Sequence, residues 1–338
     1  MAPLILVDKL AKHFRRPQQF DGPFGGLRSF FTHRYNTIKA VEGVSFSIEE
    51  GELVGYLGAN GAGKSTSIKM LSGILTPTSG TATVGGLVPW RQREHNALQI
   101  GVVFGQRTQL WWDLPLRDSL KLIGRLYRMD EERYQRNLGR MTELLGLDPF
   151  LTTPVRQLSL GQRMRGDLAA AMLYEPRVLY LDEPTVGLDV IAKERTRQFI
   201  EQVNVETATT VILTSHDLAD VERLCKRIIF IDAGRVLYDG PVVDLKLRYA
   251  PTRILDVTLA EDDLQPGQEE LTPGDVAGVI GATRSPARLQ VEFDPAVIPV
   301  PDLMAEVLRR YTASDVAIVE ADLESVVRQI VEEGGVRQ

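Results

Sequence analysis

Cysteine is nearly absent: Cys225 is the single one in 338 residues. A lone thiol excludes an internal disulfide and a multi-thiolate zinc site, and fits a reducing, cytosolic setting. Long apolar runs are missing as well. Candidates such as Ile228-Ile-Phe-Ile231 are strand-sized, far short of the ~18 uncharged residues of a membrane-spanning helix, so work at a membrane would need another polypeptide to span it. The start, Met1 to Asp8, lacks a basic region and meets a charge too early for a signal peptide. Internal repeats, low-complexity tracts and sustained heptads are also lacking, which argues against disorder and coiled-coil rods.

What is present is the composition of an ordinary folded protein: 43% hydrophobic, 25% charged, with 39 basic and 45 acidic residues giving a net charge of −6. At roughly 150 residues per domain the length predicts about two domains. Charge is uneven, with seven basic residues and one acidic from Lys9 to Lys39 but seven basic and seventeen acidic from Pro251 onward. Glycines and prolines between strand-like Leu4 to Val7 and Val44 to Ile48 predict an inserted loop, from about Phe14 to Arg34, rich in basic and aromatic residues. Such a patch suits anionic headgroups or a protein partner; an acidic chain without a recognised binding fold makes nucleic acid the poorer partner.

From there to about residue 245, short apolar runs alternate with helical periodicity, the pattern of an α/β fold with a mostly parallel sheet. Between Arg107 and Val155 the pattern becomes helix after helix, with Tyr134, Leu138, Met141 and Leu145 on one face between a start at Asp130 and a stop at Gly146. This predicts an inserted helical subdomain, about residues 107–160. After Tyr249-Ala-Pro251 a small α+β domain is expected over 250–338. Its alternating strands carry Leu255, Val257, Leu259 and Leu289, Val291, Phe293; Pro301 and Asp322 mark the starts of two helices.

Gly58-Ala-Asn-Gly61-Ala-Gly63-Lys64-Ser65-Thr66 fits G-x-x-x-x-G-K-[ST], follows the apolar run Leu53 to Leu57 and precedes a helix-like segment ended by Gly73. Glycines let the backbone curl so that N–H groups point at phosphates, Lys64 reaches the β and γ phosphates and Ser65 can ligate magnesium. Val178 to Leu181 reads as a strand that delivers Asp182 and Glu183 to the sheet's carboxyl edge. There Asp182 suits magnesium through water, and Glu183 can orient or deprotonate a water. Ser159, Gly161 and Gln162 open an Ala-rich helix that stops before Pro176, a second helix N-terminus able to face phosphate.

In this order the motifs resemble those of the ATP-binding cassette (ABC) ATPase family, over roughly residues 4 to 245. Gly58 to Thr66 (Gly58, Asn60, Gly61, Ala62, Gly63, Lys64, Ser65, Thr66) looks like Walker A, Gln106 like the Q-loop, and Val178 to Glu183 like Walker B. Leu158 to Gln162 is similar to the signature, with Leu160 in place of a glycine. Asp189 looks like the D-loop aspartate, His216 like the switch histidine, and Tyr35 like the aromatic that stacks on adenine, with Phe31 competing for that role.

The resemblance implies a P-loop NTPase (RecA-like) core with an antiparallel β subdomain, over residues 1–245. It further implies ATP and Mg2+ as cofactors, with the metal held by Ser65, Gln106 and Asp182. Two ATPs would be sandwiched between this chain and a second copy or a paralogue, with Glu183, His216, Gln106 and Asp189 in catalytic roles and Ser159, Gly161 and Gln162 lent from across the interface. It also implies a separate transmembrane permease, whose coupling helix the Gln106 to Pro115 junction would take up, and a place at the cytoplasmic face of the membrane. There Trp111 and Trp112 are either exposed in a partner groove or packed as subdomain core. An exporter is the expected kind; an importer, or a soluble ABC ATPase on ribosomes or DNA, are the alternatives. Cys225, beside Val221 and Leu224, is expected to be buried core.

Overall fold

The computed structural model describes residues 2–17, 35–105, 107–215, 217–264, 270–320 and 322–336. The chain divides into two compact units, Met1–Pro241 and Val242–Gln338. In the first, β1 (Ile5–Pro17), β2 (Tyr35–Ile48) and β4 (Ser79–Val84) form an antiparallel sheet in the order β2-β1-β4. A six-stranded sheet runs β5-β6-β7-β3-β8-β9, built from β3 (Leu53–Gly58), β5 (Ile100–Phe104), β6 (Val178–Asp182), β7 (Thr210–Thr214), β8 (Arg227–Asp232) and β9 (Arg235–Pro241). All its pairings are parallel except β8 with β9. Val178, Leu179, Tyr180 and Leu181 are all fully buried. A parallel strand covered on both faces cannot afford a polar side, which is why β6 reads as an unbroken apolar run. Ile5, Ile48, Val54, Tyr56 and Tyr180 share one hydrophobic cluster that joins the two sheets.

The hairpin corrects the expected loop. Phe14 to Pro17 are the last residues of β1, paired one by one with Ile38 to Tyr35. An antiparallel ribbon is held by its backbone ladder, and an exposed stretch needs no apolar alternation to form. Residues 18–34, with Phe20, Phe24, Phe30 and Phe31, lie outside the described residues.

Helices α1 (Lys64–Leu71) and α2 (Arg93–Gln99) precede β5. The inserted α3 (Leu116–Leu126) and α4 (Glu131–Leu145) lead into α5 (Leu160–Met172). Asp130 caps α4 by accepting the Arg133 N–H, Gly146 closes it at φ 57°, and Tyr134, Leu138, Met141 and Leu145 are its buried face. After β6 and β7 come α6 (Val190–Thr207) and α7 (Leu218–Leu224), and Cys225, just beyond α7, is buried.

In the second unit a four-stranded antiparallel sheet runs β11-β12-β10-β13, from β10 (Arg253–Leu264), β11 (Val279–Ser285), β12 (Arg288–Phe293) and β13 (Tyr311–Glu320). Its core holds Leu255, Val257, Leu289, Val291 and Phe293 with Leu303 and Val307 of α9 (Val300–Arg310). The unit begins at Val242 because α8 (Val242–Tyr249) packs on α10 (Leu323–Val336). Asp322 accepts the Ser325 N–H at the start of α10, and Pro301 lies in the first turn of α9.

Candidate functional site

The loop from Gly58 to Gly63 leaves the carboxyl end of β3 and enters α1. Gly63, at φ 105°, could not carry a side chain: a Cβ there would sit 2.4 Å from the Ala40 carbonyl oxygen. Asn60 and Gly61 form the exposed crown, Ala62 and Gly63 are buried, and Ser65 and Thr66 are half-buried at the start of α1. Lys64 is buried, and its Nζ donates to the carbonyls of Gly58 at 2.6 Å and Ala59 at 3.2 Å. Burial pushes its pKa down, against the upward pull of Glu183 and Asp182.

The two acids reach the same place from the next strand but one. Asp182 ends β6, and its Oδ1 accepts the hydroxyls of Thr214 at 2.7 Å and Ser65 at 3.3 Å. Glu183 follows in a left-handed conformation, φ 59°. Its N–H donates to the Thr214 carbonyl at 3.0 Å and Thr214 Oγ1 at 3.2 Å. The Gly105 N–H, at the end of β5, donates to the Asp182 carbonyl at 2.7 Å, which ties three neighbouring strand ends together. A cavity of about 360 Å³ opens here, lined by Ser65, Lys69, Arg107, Asp182 and Glu183 among others.

These groups fit a nucleotide phosphate with magnesium. A buried lysine whose hydrogen-bond partners among the described residues are two loop carbonyls stands ready for phosphate oxygens. The Ser65 hydroxyl and Asp182 carboxylate are the hard oxygen donors that magnesium takes, usually with retained waters.

Ser159 is the N-cap of α5 in a reciprocal box: the Gln162 N–H donates to Ser159 Oγ at 3.2 Å, and the Ser159 N–H to Gln162 Oε1 at 2.9 Å. Gly161 lies against α6, where a Cβ would come 2.9 Å from that of Ala192. Leu160, standing where the signature has glycine, lies over Gly187, whose added Cβ would meet Leu160 Cδ2 at 2.9 Å. None of Ser159, Gly161 and Gln162 lines the cavity beside Ser65 and Asp182 of the same chain. Asp189 caps α6 by accepting the Ala192 N–H at 2.8 Å. Tyr35 heads β2, half exposed, five residues (~17 Å of strand) from Ala40, whose carbonyl packs on Gly63. Gln106 and His216 lie outside the described residues.

Trp111 and Trp112 are 40% and 48% exposed, so they are not subdomain core. Arg163 stacks over Trp112 at 5.0 Å. Trp111 joins Leu98, Ile123, Leu126 and Tyr127 in a groove of about 610 Å³.

Three contributors escaped sequence reasoning. Thr214 holds both Asp182 and Glu183; a threonine ending a buried strand carries no signal of that. Asp167 and Asp220 are buried acids. Each sits on an apolar helix face, between Met164 and Ala171 and beside Val221 and Leu224, and that mismatch was the available clue.

Residues 41–186 match the family described as ABC transporter. The chain is 34% identical over 215 residues to the ABC transporter ATP-binding protein NatA of Bacillus subtilis, covering 64% of this chain and 87% of that protein. It is 34% identical over 301 residues to a daunorubicin resistance ATP-binding protein of Streptomyces coeruleorubidus, covering 89% of this chain and 86% of the relative. A methionine import ATP-binding protein of Halalkalibacterium halodurans is 30% identical over 224 residues, 65% of this chain and 66% of its own. Among solved structures, a dimeric ATP-binding cassette in a post-hydrolysis state with ADP and phosphate superposes with a TM-score of 0.59 at 25% identity, over 70% of this chain and 98% of that one.

Proposed function

The chain belongs to the ABC transporter family as an ATP-binding subunit, and we propose that it hydrolyses ATP to drive export through a separate membrane-spanning permease. The observation that carries the hydrolytic reading is the meeting of Lys64, Ser65, Asp182 and Glu183 at one set of strand ends.

Lys64 exchanges its loop carbonyls for the β and γ phosphate oxygens, and the N–H groups of Gly61 to Ser65 meet the rest at the N-terminus of α1. Ser65 and Asp182, with Gln106, would hold magnesium, which when bound neutralises phosphate charge. Glu183 takes the proton of the attacking water, and His216 donates toward the γ-phosphate. A second copy, or a paralogue, facing head to tail supplies Ser159, Gly161 and Gln162 at the start of its α5, closing the site from the other side. Asp189 stands at the junction between the two copies, and Tyr35 supports the base.

Export is favoured over import because the drug-resistance relative matches across both units, 89% of the chain, whereas the methionine importer matches 65%. No helix among the described residues is long and apolar enough to cross a membrane; in this reading the permease is a separate chain. Its coupling segment docks in the groove beside Trp111, which puts this subunit at the cytoplasmic face of the membrane.

The test is Glu183→Gln protein, purified with ATP and magnesium from native membranes in mild detergent and examined by mass spectrometry. A stoichiometric multi-span protein on an ATP-bound dimer is the expected result. Ribosomal proteins or DNA factors without a membrane protein would overturn the transporter reading in favour of a soluble ABC ATPase.

A further inference from the structure

The Glu183 backbone is held at φ 59°, a conformation that a residue with a Cβ leaves unless its surroundings fix it. Upstream, the fixing is plain: two bonds from its N–H to Thr214 and the Gly105 bond to Asp182. Downstream, the backbone bonds of the same turn are long, 3.4 Å from the Val186 N–H to the Glu183 carbonyl and 3.3 Å from the Leu188 N–H to the Thr185 carbonyl. What closes that side is a buried side-chain network. Thr185, 2% exposed, donates its hydroxyl to Asp220 Oδ2 at 2.5 Å, and Asp220, 1% exposed, receives Arg197 Nε on its other oxygen at 2.6 Å.

The connectivity makes a closed ring. The turn from Glu183 runs through Asp189 into α6; α6 carries Arg197; Arg197 holds Asp220 of α7; Asp220 holds Thr185 back in the turn. A second link, Lys193 Nζ to Asp217 Oδ2 at 3.0 Å, joins the same two helices beside position 216. Burying a carboxylate against a partly buried guanidinium is a poor way to gain stability, since apolar residues of similar volume commonly do as well. The pair does fix two segments with angular precision, because both carboxylate oxygens are committed, one to each.

We infer that Thr185 and Asp220 are positioning residues that hold the Glu183 turn in its left-handed conformation and so set where the Glu183 carboxylate meets the attacking water. The inference rests on the proposed role of Glu183 as base. The two segments that bracket the hydrolytic groups, one leading from Glu183 to Asp189 and one following His216, are therefore joined away from the nucleotide, through a threonine hydroxyl and one carboxylate.

The decisive variant is Thr185→Val, which keeps the shape and removes only the hydroxyl; Thr185→Ala serves if it is insoluble. In folded protein, kcat for ATP is expected to fall ~10-fold or more while the Kd for ATP stays within about twofold, because misplacing a reacting group costs rate and not ground-state binding. Thr185→Ser, which restores the donor, is expected to recover most of the rate. Combined with Glu183→Gln, Thr185→Val should cause no further loss, since a group that acts through another has nothing left to position. Wild-type kcat in Thr185→Val, whatever its melting temperature, overturns the inference, as does a Thr185→Ser rate as low as that of Thr185→Val. Glu183→Gln alone separates the two claims. If it turns over normally, the base assignment falls; if it is inactive while Thr185→Val is fully active, only the positioning role falls.

Discussion

Gln109 and Asp167 hold each other twice: the Gln109 backbone N–H donates to Asp167 Oδ1 at 3.0 Å, and the Gln109 side-chain amide donates to the Asp167 carbonyl at 3.1 Å. Thr108 adds its hydroxyl to the same carboxylate oxygen at 2.9 Å. Leu110 and Leu116 close over Gly166, where an added Cβ would meet a methyl of each at 2.9 Å. The segment just after position 106 is thereby fastened to α5, about two helical turns (~12 Å) beyond Ser159.

That clasp titrates. Burial pushes the Asp167 carboxyl up to about 6 from an ordinary 3.8, against the downward pull of its bonds from Gln109 and Thr108 and of Arg163 nearby. A folded-state value above the unfolded one means the stabilising contribution is complete below pH 3.8 and is lost as pH rises through 6. About two units correspond to ~3 kcal/mol at most. Asp167→Asn removes the titration, so the stability of wild type relative to the variant is expected to fall by up to that amount between pH 4 and pH 8. Denaturant melts of both proteins across that range check it, and a flat difference would show that the carboxyl does not titrate there.

Tyr180 offers a stability gain. It is fully buried in the centre of β6, and its hydroxyl has no hydrogen-bond partner among the described residues. A buried, unsatisfied polar group costs roughly 1–3 kcal/mol, and deleting it leaves the ring packing intact. Tyr180→Phe should raise stability by ~1 kcal/mol, seen as a higher melting temperature with ATPase activity unchanged.

Lys64→Ala should raise the Kd for ATP at least ~10-fold by removing a buried cation from the phosphate loop. Lys64→Arg should not rescue it. The lysine is 6% exposed and its Nζ is held among loop carbonyls, a space that suits a point charge and not a planar fork. Titration with a fluorescent ATP analogue measures both.

How much of this was legible beforehand depends on whether a feature is spelled by neighbours in sequence. The phosphate loop, the caps at Asp130 and Ser159, and the Asp182-Glu183 strand end are each written in consecutive residues, and they stand where the periodicity put them. Phe14 to Pro17 misled because their residue types are those of a loop, while their conformation comes from pairing with Tyr35 to Ile38. Asp167 meets Gln109 across 58 positions and Asp220 meets Thr185 across 35. Such contacts are set by which elements pack together, and no local pattern encodes their distance. The tryptophans are a middle case: their residue type suits either a partner groove or the subdomain core, and only the packing of the junction segment, which leaves them on the surface, decides between the two.

Trp111→Ala tests the partner groove. Trp111 is 40% exposed beside Leu98 and Leu126, at 54% and 65%, and an aromatic anchor of that kind dominates an interface once covered. The variant should bind ATP with unchanged Kd but lose recovery of the membrane partner ~10-fold or more. Equal recovery would move the docking surface elsewhere.

The last prediction concerns the two units. Each has its own sheets and its own buried cluster, Ile5, Val54, Tyr56 and Tyr180 in one and Leu255, Val291, Phe293 and Leu303 in the other. The boundary falls after β9, the antiparallel edge of the six-stranded sheet, so ending the chain at Pro241 removes no strand of that sheet. A cut after Tyr249 would instead strand α8 without α10, exposing Val242 and Leu245, which are now buried. A chain ending at Pro241 should therefore fold, melt in one cooperative step and bind ATP. A product ending at Tyr249 should be no more stable and less soluble. If only the longer product folds, α8 serves the first unit, and the division after β9 is wrong.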